Sequence, residues 1–212
     1  MTDSDLTATI TTGVPWWVTV SAMLTPATVL AVDMAGRVLQ PTSYDPLTQT
    51  LSVLAGNGRT AGIVTVGFFV TAMCCIVTAW GLRMLPIASR ALLTAVGCCG
   101  LLVACAPQRN HSQNSVHLCA VVLGAVLLAL WPLSTIPAYR FSLRVCSAPM
   151  AVTVSAVFML LLVWTGYEAV DGGLLGLAER VTIVAEMFWP VPVVFGLRRA
   201  VRSAEPGLDE VG

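Results

Sequence analysis

The sequence is short of charge. Only 10% of its 212 residues are Asp, Glu, Lys or Arg, against roughly 25% in a soluble domain, and none is Lys. A chain this poor in charge cannot clothe a water-facing surface, which excludes a soluble enzyme. Its 11 Arg balance 11 acids, so there is no clustered basic face of the kind a nucleic acid requires. Histidine is nearly absent, with only His111 and His117, and none of the seven Cys falls in a C-x-x-C pair. Nucleophile elbows, phosphate-binding glycine loops and redox motifs are missing, so no cofactor is implied. What the chain has is apolar length, with 57% hydrophobic residues.

That length falls into six stretches, each near the ~20 residues that cross a hydrocarbon core as a helix. They run approximately Trp16–Met34, Gly62–Leu82, Ile87–Ala106, His117–Ile136, Pro149–Gly166 and Leu174–Leu197. A membrane barrel would show short alternating segments instead. The expected fold is all-α, a six-helix transmembrane bundle with a short interfacial helix between spans one and two. Residues 1–13 read as a disordered cytoplasmic N-terminus, 14–200 as the six-span domain and 201–212 as an acidic cytoplasmic tail.

Arg counts in the short loops set the expected orientation. Arg83, Arg90, Arg140, Arg144, Arg198, Arg199 and Arg202 fall on one side; Arg37, Arg59, Arg109 and Arg180 fall on the other. The richer side should be cytoplasmic, with both termini inside a bacterial cytoplasmic membrane. Asp33, Asp45, Glu168, Asp171, Glu179, His111 and His117 then gather at the outer ends of helices or in outer loops. A site, if present, opens outward.

The longest connection, between spans one and two, is the least loop-like. Asp45-Pro46 is a helix start signal, an Asp cap followed by Pro at the first helical position. Leu47, Leu51 and Leu54 then form an apolar stripe beside Thr48, Gln49 and Ser52, and Gly56-Asn57-Gly58 ends it. The segment reads as a short helix lying over the outer surface like a lid, Arg59 opening the next span.

These residues also carry a resemblance. Asp45-Pro46-Leu47-Thr48-Gln49-Thr50-Leu51-Ser52-Val53-Leu54-Ala55 followed by Arg59 resembles the first signature of the domain of unknown function 998 family. Pro107, His117, Ala120 and Leu130-Trp131-Pro132 are similar to the second. Gly176-Leu177-Ala178-Glu179-Arg180 with Trp189-Pro190 resembles the third. Order and spacing agree over about residues 15–200. The resemblance implies a multi-span bacterial or archaeal membrane protein and supplies no reaction. Glu186 departs from its pattern.

Glu179 and Arg180 lie about one and a half turns into the last span, where ionisable groups are costly and need partners. Adjacent residues diverge by about 100° on a helix, so each is expected to find its own partner elsewhere. As a structural lock, Glu179 would pair with Arg59 or Arg180 with Asp45; as a site, Arg180 and Arg59 would grip a phosphate or carboxylate. Glu186 sits ~18 Å down the helix from Leu174, close to the bilayer centre. It shares a face with Glu179 and Thr182, away from Arg180. A neutral buried acid joining helices is the expectation there, and proton carriage is the functional alternative. His117 suits a general base or a headgroup hydrogen-bonder. His117, Asp45 and Glu179 would nominally make three zinc ligands, as in ceramidase-like membrane hydrolases, but the multi-His pattern of those enzymes is missing and no metal is expected. The Cys read as small packing residues, and Trp16, Trp17, Trp80 and Trp164 as interfacial belt residues.

Three functions fit. The preferred one is a non-enzymatic protein binding a membrane lipid or other amphiphile headgroup through Asp45, Ser52, Arg59, His117, Glu179, Arg180 and Glu186. The first alternative is a hydrolase of lipid headgroups with His117 as base, assisted by Asp45 or Glu179. The second is an accessory subunit of a larger membrane complex, or a homo-oligomer, in which the polar cluster is only structural. Asp45, Arg59, His117, Glu179 and Arg180 are expected to converge on one outward-facing pocket.

Overall fold

The computed structural model describes residues 13–40, 44–56, 60–106, 114–141 and 143–204. Within them the chain is all-α. Helix α1 spans Trp16–Leu39, the short α2 Leu51–Gly56, α3 Ala61–Gly81, α4 Ile87–Cys105, α5 Ser115–Ser134, α6 Ala148–Asp171, α7 Leu175–Phe188 and α8 Pro190–Ala204. Six helical segments are long and apolar enough to cross a membrane: α1, α3, α4, α5, α6 and the tandem α7–α8. They are spans one to six of a multi-pass membrane protein.

Each span packs on the next, and α7 closes back on α1, so the bundle is a ring. Two apolar clusters fill it. The larger joins Val18 and Ala22 of α1, Cys75 and Ala79 of α3, Leu93 and Val96 of α4, Leu128 and Trp131 of α5, and Val193, Val194 and Leu197 of α8. The smaller lies at the opposite end, where Leu51, Leu54 and Ala55 of α2 pack on Val32 and Val64. Gly36 makes that contact possible, because a Cβ there would run into the Leu54 side chain. Span five is the least covered: only Ala151, Ser155 and Phe158 are buried, while Leu160, Val163 and Val170 stand exposed as a lipid face.

The structure departs from the expected boundaries in four places. Spans one and five run on to Leu39 and Asp171, and the added turns hold Arg37, paired with Asp33, and Glu168, which accepts from Trp164 and the Leu174 amide. Span six is broken at Trp189; Pro190 and Pro192 have no backbone N–H to continue the α7 ladder. Helix α8 reaches Ala204, so the first residues of the expected tail are helical, the rest lying outside the described residues together with 1–12.

All seven Cys are free thiols. At the end of the bundle away from the lid, Trp17 and Trp80 meet with ring centroids 6.1 Å apart.

Candidate functional site

The segment from Tyr44 to Gly56 is a lid made of two pieces. Asp45 caps the first: its Oδ1 accepts from the Leu47 amide at 3.0 Å and its Oδ2 from the Thr48 hydroxyl at 3.0 Å. One turn closes with Gln49 N–H donating to the Asp45 carbonyl at 2.9 Å. The helix expected to continue from Asp45 begins only at Leu51. As a result Leu47 is exposed while Leu51 and Leu54 are buried, so the stripe of three leucines is really a pair.

The reason for the gap stands on span six. Arg180 Nη1 donates to the carbonyls of Pro46 and Gln49, both at 2.8 Å, and to Gly176 at 2.7 Å. Those lid carbonyls are thereby drawn away from a helical ladder. Arg180 Nε meets Asp33 Oδ1 of span one at 2.7 Å, and Nη2 donates to the Tyr44 hydroxyl. The neighbouring Glu179 accepts the Leu51 amide at 2.7 Å, acting as the cap of α2. A carboxylate at a helix start and a guanidinium at a run of carbonyls are the favourable signs for both. The Leu177 amide adds a bond to the Leu47 carbonyl at 3.0 Å. Gly176 allows the close approach, since a Cβ there would strike the Pro46 and Gln49 carbonyls.

Asp33 carries a second cation: Arg37 Nη2 reaches its Oδ2 at 2.6 Å. The two Arg differ in access. The Arg180 side chain is 8% exposed and that of Arg37 is 43% exposed. Beside them lies an open groove of about 240 Å³ between spans one and six. Val29, Leu30, Val181 and Val184 form its apolar walls, and Asp33, Arg37 and Arg180 its polar end. Burial pushes the Tyr44 phenol above its ordinary value of 10.0, with Arg180 beside it acting in the opposite direction.

The lid's far side rests on span four. His117 Nδ1 lies 3.0 Å from the Ala106 carbonyl and Nε2 lies 2.9 Å from Ser52 Oγ. A carbonyl only accepts, so Nδ1 carries the hydrogen, and in the neutral ring Nε2 accepts the Ser52 proton. Asn114 caps the span, accepting from the Val116 amide at 3.1 Å and the His117 amide at 3.4 Å. Thr60 donates to the Leu54 carbonyl at 3.0 Å and accepts from Gln40 at 2.6 Å.

Of the residues singled out in the sequence, Glu179, Arg180, Ser52 and His117 therefore do meet at the lid. Asp45 belongs to it too, but its carboxylate serves its own exposed turn. The ion pair expected between Arg180 and Asp45 is instead made with Asp33. Neither Asp45 nor Glu179 orients the His117 ring; Ala106 does. Arg59 and His111 lie outside the described residues. Glu186 is buried at 2% exposure well below the lid. Among the described residues no three of His, Cys, Asp and Glu come together to hold a metal ion. Sequence reasoning missed Tyr44 and the bridging role of Asp33; the signal for Asp33 was its i,i+4 spacing from Arg37 inside a span.

Over residues 12–196 the chain matches the family model described as protein of unknown function (DUF998). The chain belongs to this family. The match takes in the lid and its partners on spans one, four and six. No curated protein and no solved structure matches.

Proposed function

We propose that the protein binds a phosphate-bearing membrane lipid, or an amphiphile of the same chemistry, in the groove between spans one and six beside the lid. The single observation that carries this reading is the groove itself, which joins an apolar wall to an ion cluster ending in the half-exposed Arg37. Two Arg and one Asp in the lining leave a positive charge for a headgroup, and a guanidinium suits the paired oxygens of a phosphate. Acyl chains would lie along Val29, Leu30, Val181 and Val184. Arg180 uses its donors within the chain, so its role is to fix Asp33 and the lid, while Arg37 meets the headgroup. The Arg distribution supports an arrangement with both termini cytoplasmic and the groove opening to the outer leaflet of a bacterial cytoplasmic membrane, where lipid handling or carriage is the work the protein would do.

A photoreactive phospholipid with its diazirine on the acyl chain tests this. Crosslinks are expected on Val29, Leu30, Val181 or Val184, and to fall several-fold in Arg37→Ala. Crosslinks spread evenly around the bundle would refute it.

Hydrolysis of a headgroup ester is the second reading, and one observation favours it. A serine hydroxyl 2.9 Å from an imidazole whose other nitrogen is held by a carbonyl is the arrangement in which histidine activates an alcohol nucleophile. Ser52 and His117 are both buried, so substrate would reach them only with the lid displaced.

A further inference from the structure

Among the described residues, three buried side-chain polar atoms have no hydrogen-bond partner within the chain: Ser155 Oγ, Glu186 Oε1 and Trp189 Nε1. Buried polar groups in native proteins are satisfied by protein or by water, so three orphans need a reason. Two of them, Glu186 and Trp189, are three residues apart on one side of span six. The third is on span five, which packs against it.

Their depth follows from the helix pairing. Thr165 and Thr182 Oγ atoms lie 2.9 Å apart across the antiparallel spans five and six. One turn further along each helix sets Glu186 at the level of Leu161. Trp189 then falls at the level of Phe158, and Ser155 a turn beyond. The three polar groups therefore fall at successive depths along spans five and six, below the two threonines.

The backbone is irregular at the same place. Helix α7 ends at Phe188 and α8 starts at Pro190. Pro190 cannot donate to the carbonyl of Glu186, which takes the Trp189 amide instead at 3.3 Å. Pro192 cannot donate to the carbonyl of Phe188. Trp189 itself keeps helical dihedrals, φ −62° and ψ −34°, so the span loses ladder bonds there without unwinding. Ionisable groups inside membrane spans mark proton relays, and Glu186 stands where proline has removed bonds from the helical ladder.

We infer that Glu186 is a proton-binding site inside the membrane, in exchange with water beside the ladder gap that Pro190 and Pro192 leave in span six. A metal cation is disfavoured because Trp189 Nε1 offers only a hydrogen. An N–H donor one turn along the helix from a carboxyl suits water and a titrating acid. No charge competes for the site. On its own helix Glu179 and Arg180 lie about two turns nearer the lid and are joined to it. Span five brings Tyr167, Glu168 and Asp171, all near its lid-side end. Span one brings Asp33 and Arg37, which pair with each other, and span four brings His117 in its first turn. Helix α2 carries no ionisable residue, and in α8 the first is Arg198, ~18 Å farther along. This site shares no residue with the lipid groove, and neither stands on the other.

Infrared difference spectroscopy of the full chain in lipid vesicles tests it. The wild type is expected to show a carboxylic-acid C=O band that is absent in Glu186→Gln and displaced in Glu186→Asp. That band is expected to move to its deuterated position when the vesicles pass into D2O. A Glu186-dependent band that stays fixed in D2O makes the acid a dry packing group and overturns the proposal. Finding no Glu186-dependent band overturns it equally. The wild type alone gives a second test if a variant does not fold: dicyclohexylcarbodiimide attacks protonated carboxyls within membranes. Its adduct is expected on Glu186 by peptide mass mapping, and a folded protein without that adduct contradicts the site.

Discussion

Glu179 and Arg180, neighbours in sequence, hold the two pieces of the lid by opposite chemistry. The carboxylate receives the first amide of α2 at 2.7 Å, and the guanidinium gathers the Pro46 and Gln49 carbonyls at 2.8 Å. The gap in the lid is what lets one dipeptide do both, since its two side chains leave the helix about 100° apart. Asp33 then ties this arrangement to span one and to Arg37.

Removing Arg180 should be severe. Arg180→Ala leaves the Asp33 carboxylate and two lid carbonyls without a major donor, and breaking a buried ion pair costs about 3–5 kcal/mol. Arg180→Lys should recover little, because an ammonium lacks the planar fork that reaches Asp33, Tyr44 and the carbonyls together. Reversible unfolding in mixed micelles checks both variants. A loss under about 1 kcal/mol, the range of an exposed pair, would place Arg180 outside the lock.

Substitutions at Glu179 should grade. Glu179→Gln keeps an oxygen for the Leu51 amide but loses the charge, costing about 1 kcal/mol from the difference between charged and neutral hydrogen bonds. Glu179→Ala should cost more and expose the lid to proteases. Limited proteolysis between Tyr44 and Gly56, faster in Ala than in Gln, is the expected order. Equal rates would mean that the cap is not what holds α2.

Tyr44 gives the lid a dependence on alkaline pH. Burial raises its phenol above 10.0, so the folded state favours the neutral form. The associated stability is complete below the unfolded value and is lost as pH climbs through the folded one. Lid protection measured by amide exchange, corrected for its intrinsic pH dependence, should be level up to about pH 10 and fall above it. Tyr44→Phe should lack that fall. A decline beginning near neutrality would point to a different group.

Ser52 and His117 separate the binding reading from the hydrolytic one. With lipid binding alone, Ser52→Ala and His117→Gln weaken the lid by roughly 1–3 kcal/mol through an unsatisfied buried partner, and a fluorophosphonate probe labels nothing. Labelling of wild-type Ser52, lost in His117→Gln, would make the pair a catalytic one.

The membrane architecture was legible because it depends on composition and length: five of the six spans are unbroken helices over stretches that apolar runs alone define. The lid was legible through Asp45-Pro46, although the Asp45 carboxylate caps a single turn and not the helix expected to start there. Its break was not, because the carbonyls of Pro46 and Gln49 are pulled away by a residue more than a hundred positions later. The partnership of Asp33 with Arg180 was hidden for a related reason. It depends on the ring closing span six onto span one, and no local periodicity reports which helices touch. The break at Trp189 was readable from Pro190 and Pro192, yet an apolar run counted by hydropathy passes straight over it.

Native mass spectrometry of the protein released from lipid vesicles tests the central claim, a phosphate-bearing lipid held at Arg37, most directly. The wild type should carry phospholipid-mass adducts that fall several-fold both in Arg37→Ala, which removes the cation, and in Val184→Trp, which fills the groove. Both variants should unfold like the wild type. Equal adducts on all three proteins would contradict lipid binding at this groove and leave the Asp33, Glu179 and Arg180 cluster as a lock for the lid.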